Sequence, residues 1–139
     1  RDFCLSRGLG DVYKRQDKYV TEEKKLLIEY NNKLFYTSKD LALSVIGGRW
    51  KIPIIYHLLQ SEVLRLSELE KKLPDINQRM LIRQLRELEK DMIIKRTIYP
   101  VVPPKVEYRL TSVGLSLDNV VYGICEWGDE YLKLINNEN

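Results

Sequence analysis

The sequence predicts an α+β fold, a three-helix core carrying a β-hairpin, with a further helix at each end. Three observations predict it. Residues 67–91 hold a short helix, a turn and a longer helix with one leucine-rich and one basic face. Two β-type runs joined by a proline-bearing loop follow directly, and a long amphipathic helix comes last. Helices gathered around a small antiparallel sheet define the class.

In chain order, Thr21 before Glu22 and Glu23 makes an N-cap with acids in the first turn, and predicts a helix to about residue 32. Ser38 is read as the cap of a second helix, residues 39–46, ended by Gly47-Gly48. Residues 50–59 are apolar on nearly every side after Lys51 and read as a buried central helix. Pro53 fits only its first turn, where a missing N–H loses no partner, so the start falls near Arg49. Residues 64–66 suffice for a minimal strand. Ser67 with Glu70 has the capping-box spacing and opens a short helix through Lys72, and Pro74-Asp75 turns the chain. Asn77 then caps a helix over residues 78 to about 91. Two β-type runs follow, 93–99 and 106–110. In the second, Val106, Tyr108 and Leu110 alternate with Glu107 and Arg109, the period of a strand with one buried face. Thr111 caps the final helical region, which reaches about Ile135.

Composition narrows the function classes. With 139 residues, 44% of them hydrophobic, the chain suffices for one compact domain. No apolar run approaches the roughly 20 residues that cross a bilayer, so no membrane role is expected. One histidine, His57, and two cysteines, Cys4 and Cys125, fall short of a four-ligand zinc site built from His and Cys. No metal and no cofactor are expected. Two cysteines so far apart make no disulfide framework and point to a reducing, cytoplasmic setting. No carboxylate pair, Ser/His arrangement or phosphate loop stands out, so the expectation is that the chain is not an enzyme.

Four segments organise the chain. Residues 1–16 stand apart, because SRGLGDVYKRQ (6–16) is similar to the translation of a transposon-end sequencing adapter and the first methionine is Met80. They are read as a non-native segment and expected to be poorly ordered. Residues 17–36 form an N-terminal arm, 37–112 the helix-and-hairpin domain, and 113–139 a C-terminal helix. Charge is uneven along them. Residues 17–48 balance five Lys/Arg against five Asp/Glu, 49–109 hold thirteen against eight, and 110–139 hold one against five. A basic middle is what a polyanion-binding face requires, since cations must cluster where phosphates lie. On composition alone, an unevenly charged solvated surface fits as well.

The helix over residues 78–91 narrows this choice. At 100° per residue, Leu81, Leu85, Leu88 and Met92 fall within about 60° of one another. Arg79, Arg83, Arg86 and Lys90 occupy a similar arc on the far side. A short helix, a tight turn and a second helix with a basic outer face describe a helix-turn-helix, and the B-DNA major groove admits one α-helix. Arg bonds two guanine acceptors at once, and Gln or Asn does the same on adenine. Residues near the N-terminal end reach base edges, so Asn77, Gln78, Arg79 and Arg83 are the base-reading candidates. Arg86 and Lys90 are assigned to phosphates, as are Arg49, Lys51 and Ser67 around the helix ends. In the hairpin, Lys95, Arg96, Lys105 and Arg109 flank a loop over 100–104 that prolines stiffen. Helix-turn-helix followed by hairpin is a winged helix-turn-helix.

The sequence then becomes recognisable. From residue 42 to 132 it closely resembles the HxlR-type winged-helix regulators, a MarR-like group of bacterial transcription factors. The matching pieces are VIGGRWK (45–51), LSELEKKLPDINQRML (66–81), LRELEKDMII (85–94), YPVVPPKVEYRLT (99–111) and CEWG (125–128). The resemblance implies a homodimer that binds an operator in double-stranded DNA and represses or activates nearby genes, with repression the expected sign. Many of the group carry a cysteine, commonly followed by proline, ahead of the first winged-helix segment. Thr37 and Ser38 stand at the corresponding positions here, and threonine forms no thiolate, so a thiol switch at that point is unsupported.

The last helix spreads Val120, Val121, Ile124, Trp127, Tyr131, Leu134 and Ile135 over roughly 140°, more apolar surface than a lone helix on a small domain needs. Part of it is expected to face a second subunit, completed by Leu26, Leu27, Tyr30 and Leu34 of the first helix. A two-fold dimer sets two recognition helices about 34 Å apart and predicts a palindromic site. Cys125 is expected to be a small packed residue, and His57 a half-buried helical one. Trp50, Tyr56, Trp127 and Tyr131 could line a cleft for a small-molecule effector of unidentified chemistry, though aromatics at helical spacing more often form core. Two alternatives stand beside the regulator: a winged-helix interaction scaffold that binds no DNA, and an electrophile sensor acting through Cys125.

Overall fold

The computed structural model describes residues 27–138. The expectations for residues 1–16, for the Thr21 cap and for Leu26 lie outside the described residues. The chain divides into two compact units, one ending at Val45 and the other starting at Ile46.

In the first unit, strands β1 (Ile28–Tyr30) and β2 (Lys33–Phe35) pair antiparallel, with Ile28 opposite Phe35 and Tyr30 opposite Lys33. The helix expected to run to residue 32 is therefore a hairpin from Ile28 onward. Its cause is local. Asn31 and Asn32 have φ of 50° and 61°, and a two-residue loop with both central residues at positive φ is the turn whose twist matches paired strands. Asparagine tolerates that region better than other residues with a Cβ. The aromatic and β-branched residues on either side prefer a pleated surface. The correction reaches the arm's surface as well. Successive strand residues point to opposite faces, so Tyr30 and Leu34 lie on different sides of the hairpin. One apolar stripe through both does not exist. Helix α1 (Ser38–Ile46) follows, and its N-cap is Thr37 rather than Ser38: the Asp40 N–H donates to Thr37 Oγ1 at 3.2 Å.

The second unit opens with α2 (Lys51–Ser61), which starts just after the expected position near Arg49 and keeps Pro53 in its first turn. Strand β3 (Val63–Arg65) leads into α3 (Leu66–Lys72), and the turn to α4 (Gln78–Lys90) buries Leu73 and Ile76. The expected Ser67–Glu70 capping box is displaced towards the N-terminus: the Arg65 N–H donates to Glu68 Oε1 at 2.9 Å, and Ser67 lies within the helix. Strands β4 (Ile94–Tyr99) and β5 (Lys105–Leu110) make a hairpin, and β5 also pairs with β3, giving an antiparallel sheet of order β3-β5-β4. Thr111 caps α5 (Ser112–Leu115), where the Gly114 N–H donates to its Oγ1 at 3.1 Å. Helix α6 (Asp118–Glu138) then starts separately, so the expected single final helix is two.

The core sits where α2, α3, α4 and the sheet converge. Ile54, Ile55 and Leu58 from α2, Leu69 from α3 and Leu81, Leu85 and Leu88 from α4 are almost wholly removed from water, joined by Leu64, Ile94 and Val121. Met92, expected in the leucine arc, is exposed. The helix has ended at Lys90 and Met92 turns back at φ 61°, so the 100° period no longer governs it.

Candidate nucleic-acid interface

Leu81, Leu85 and Leu88 fix α4 to the core, and the same periodicity turns Gln78, Arg79, Arg83, Arg86 and Lys90 to solvent. Asn77 starts the helix by accepting the Met80 N–H on Oδ1 at 2.8 Å. Its oxygen is spent on capping, which leaves the amide N–H₂ as its outward group. Gln78 Nε2 donates to Glu70 Oε1 at 3.0 Å, tying the exposed start of α4 back to α3. Gln78, Arg79, Ile82, Arg83, Arg86 and Glu87 line an open groove of about 800 Å³ along the helix. Three of the four expected base-reading residues, Gln78, Arg79 and Arg83, thus share one groove with Arg86, while Asn77 stands at the helix start as its cap.

Lys51 is a correction. Expected to meet phosphate, it is 6% exposed, and its Nζ lies 3.4 Å from Glu87 Oε1. A buried ammonium needs a fixed counter-charge, and α4 supplies it from the core side. Arg49, on the N-terminal side of Lys51, remains exposed and rests its guanidinium on the Trp50 ring, 4.3 Å from the centroid. Ser67 is exposed in the first turn of α3.

The wing cations do not share a surface. Lys95 pairs across the hairpin with Arg109 and Tyr99 with Lys105, while Arg96 pairs with Tyr108 on the opposite face. Lys105 Nζ lies 3.5 Å from Glu107 Oε2 and 5.1 Å from the Tyr99 ring centroid. The Tyr99 hydroxyl hydrogen-bonds Glu107, which raises the phenol pKa and lowers that of the carboxyl. Arg96 stays exposed and leans towards α4, where its Nε is 3.3 Å from Glu89 Oε1. Arg86 and Arg96, with Glu89 and the buried Tyr108, line a smaller cavity of about 200 Å³ between α4 and the sheet. Burial raises the Tyr108 pKa against the opposing pull of those two cations. The tip, residues 100–104, carries no charge; Val102 is fully exposed there, and the Val102–Pro103 peptide is cis.

On α6, Val121 is completely buried inside the chain, which removes it from the expected subunit interface. The other residues of that face are open to solvent: Val120, Ile124, Trp127, Tyr131, Leu134 and Ile135, with Leu134 at 63%. Trp127 and Tyr131 stack one helical turn apart with centroids 5.0 Å apart, whereas Tyr56 meets His57 and Tyr122 edge-on. Gln60 Nε2 donates to Tyr122 Oη at 2.8 Å. Cys125 is exposed rather than packed. His57 is half-buried as expected, and its pKa is lowered by loss of solvent and by the Lys72 charge.

Sequence reasoning missed the carboxylates that organise these cations. In sequence, Glu70, Glu87, Glu89 and Glu107 only offset positive charge, yet each holds a named donor in place. Spacing could have identified one of them, since Arg83 and Glu87 stand at i,i+4.

A short bracing helix, a tight turn, an exposed arginine-bearing helix and an antiparallel hairpin make this a winged helix-turn-helix. The chain belongs to the HxlR-like helix-turn-helix family, whose model matches residues 45–136. It is 44% identical over 103 residues to the HTH-type transcriptional regulator YtcD of Bacillus subtilis, a match spanning 74% of this chain and 81% of the relative. Among solved structures it is similar to the redox regulator HypR in its reduced form, at TM-score 0.68 and 42% identity over 73% of this chain and 99% of that one. A MarR-family transcriptional regulator of Enterococcus faecalis V583 matches at TM-score 0.63 and 35% identity, covering 79% and 99%. No helix among the described residues is long and apolar enough to cross a membrane.

Proposed function

We propose that this chain is a sequence-specific DNA-binding transcriptional regulator that acts in the cytoplasm as a homodimer on a palindromic operator, without catalysis. One observation carries the proposal: α4 is held from behind by Leu81, Leu85 and Leu88 and exposes Gln78, Arg79, Arg83 and Arg86 along a single groove. Asn77, Gln78, Arg79 and Arg83 read base edges. Arg86, Lys90 and Arg96 take phosphates beside the helix, and Lys95, Lys105 and Arg109 form a second basic surface on the outer face of the wing. The exposed apolar face of α6, from Val120 to Leu134, meets a second copy, because a contiguous exposed apolar face marks an interaction site. In the first unit, Leu27 and Leu34 are also exposed and are proposed as a separate apolar contact for such a copy.

A second reading has one observation in its favour. Cys125 is exposed, and a redox regulator is among the similar structures; both support regulation by electrophiles through oxidation of that thiol. One binding experiment addresses both readings. Anisotropy of a labelled duplex selected by the protein from a random pool is followed against salt, beside a scrambled duplex. Specific binding is expected, with log affinity falling linearly in log salt. Failure to select any sequence leaves the interaction scaffold as the surviving reading. Repeating the titration with an oxidant separates the sensor reading: wild type should release the duplex and Cys125→Ser should hold it.

A further inference from the structure

We infer that Glu87 is a positioning residue for base reading: pinned from beneath by the buried Lys51 ammonium, it holds Arg83 by Nε and leaves the ends of that guanidinium to face a guanine. The inference rests on the DNA-binding reading above. Lys51 is the one buried charged residue among the described residues. Its Nζ donates to Glu87 Oε1 at 3.4 Å. Moving the carboxylate into solvent would strand a buried cation, which is strongly unfavourable. The two oxygens of Glu87 therefore divide their work. Oε1 faces Lys51, and Oε2 faces outward, 3.6 Å from Arg83 Nε, and accepts from Gln84 Nε2 at 3.4 Å.

Arg83 is otherwise unrestrained, with 72% of its side chain exposed. A free surface arginine loses rotamer entropy when it docks, and prior restraint reduces that loss. An arginine has five N–H groups. The carboxylate is paired on the Nε side of the guanidinium, which leaves the four N–H groups of the two terminal nitrogens for guanine O6 and N7 end-on. Electrostatics alone makes the opposite demand. A carboxylate on a DNA-facing helix repels the polyanion, so its removal should tighten binding to every sequence. The two effects differ in sign on the operator.

Glu87→Gln keeps the shape of the side chain and removes its charge. It also leaves the Lys51 ammonium without its counter-charge, so its urea midpoint is measured first and binding is read on the folded variant. Dissociation constants are measured at one salt concentration for the selected duplex and for a scrambled one. Binding to the scrambled duplex should tighten, while the ratio of the two constants falls by about twofold, the scale of an exposed i,i+4 ion pair, with tolerance appearing at one guanine position. In an Arg83→Ala background the same substitution should leave the ratio where Arg83→Ala put it, because no guanidinium remains to hold. A ratio equal to wild type in Glu87→Gln, or a loss that persists in full without Arg83, overturns the inference while the DNA-binding reading stands. A wild-type chain that selects no sequence overturns both. Lys51→Met, which fills the same space without charge, frees Glu87 from below and should relax the same guanine position. A folded Lys51→Met variant with undiminished discrimination also overturns the inference.

Discussion

At the scale of single residues, the charged side chains near α4 act in sets. Lys51, Glu87 and Arg83 form a line from core to surface, and Arg96 reaches Glu89 across the gap between wing and helix. The arginines of α4 were legible because cations at helical spacing opposite a leucine face define both an anchored side and a side for a polyanion. The inward turn of Lys51 was not, since a lysine in a first helical turn reads as solvated until its partner on another helix is known. His57 gives a residue-scale prediction. Burial first, and Lys72 second, depress its pKa below the ordinary value of about 6.5. The unfolded chain then binds more protons than the folded one between the two values. Stability is fully present above pH 6.5 and is lost as pH falls through the folded pKa. Urea unfolding of wild type and His57→Gln across about pH 7.5 to 5 checks this. The wild-type midpoint should fall further than the variant's over that interval, and parallel curves would clear His57 of any part in acid sensitivity.

At the scale of elements, boundaries follow local chemistry, and the expectations fail where a local signal is outweighed. Asn77 and Thr111 cap the helices expected of them, and the alternation of β5 places Tyr108 and Leu110 in the core. The first strand of the Ile28–Phe35 hairpin and its turn read as the end of a helix in sequence because the acids after Thr21 mask the Asn31-Asn32 pair, which is the stronger turn former. The alternation of β5 already sets Arg109 opposite the buried face, but which way Lys95 and Arg96 turn on β4 was beyond the sequence, because the register of β4 is set by its pairing with β5. The joint between wing and α5 is where an element-scale change should tell most. A Cβ on Gly114 would collide with the Ile93 carbonyl oxygen and crowd Leu110 Cδ2 at 2.9 Å. The backbone there is tied by the Thr111 N–H to the same Ile93 carbonyl at 3.0 Å and has little room to give. Gly114→Ala should therefore cost about 1–3 kcal/mol, read as a lower urea midpoint at unchanged slope.

At the scale of the whole molecule, the acidic last segment and the basic middle separate the two surfaces proposed for contact. Residues 110–139 hold one Lys/Arg against five Asp/Glu, so the α6 face is poorly suited to DNA and suited to another chain. Trp127, 63% exposed and stacked on its neighbour Tyr131, is the largest apolar group on that face. Trp127→Glu should shift the sedimentation profile from dimer to monomer and weaken binding to a full palindrome far more than to a half-site. A variant that stays dimeric would move the subunit contact elsewhere. The uncharged wing tip has a consequence of its own. Val101 to Pro104 can release no counterions, so added electrolyte leaves its share of any complex untouched. What Val102 contributes on docking would instead be registered by calorimetry, as a more negative heat-capacity change; shortening the tip would flatten the temperature dependence of the binding enthalpy while leaving the ionic response as it was.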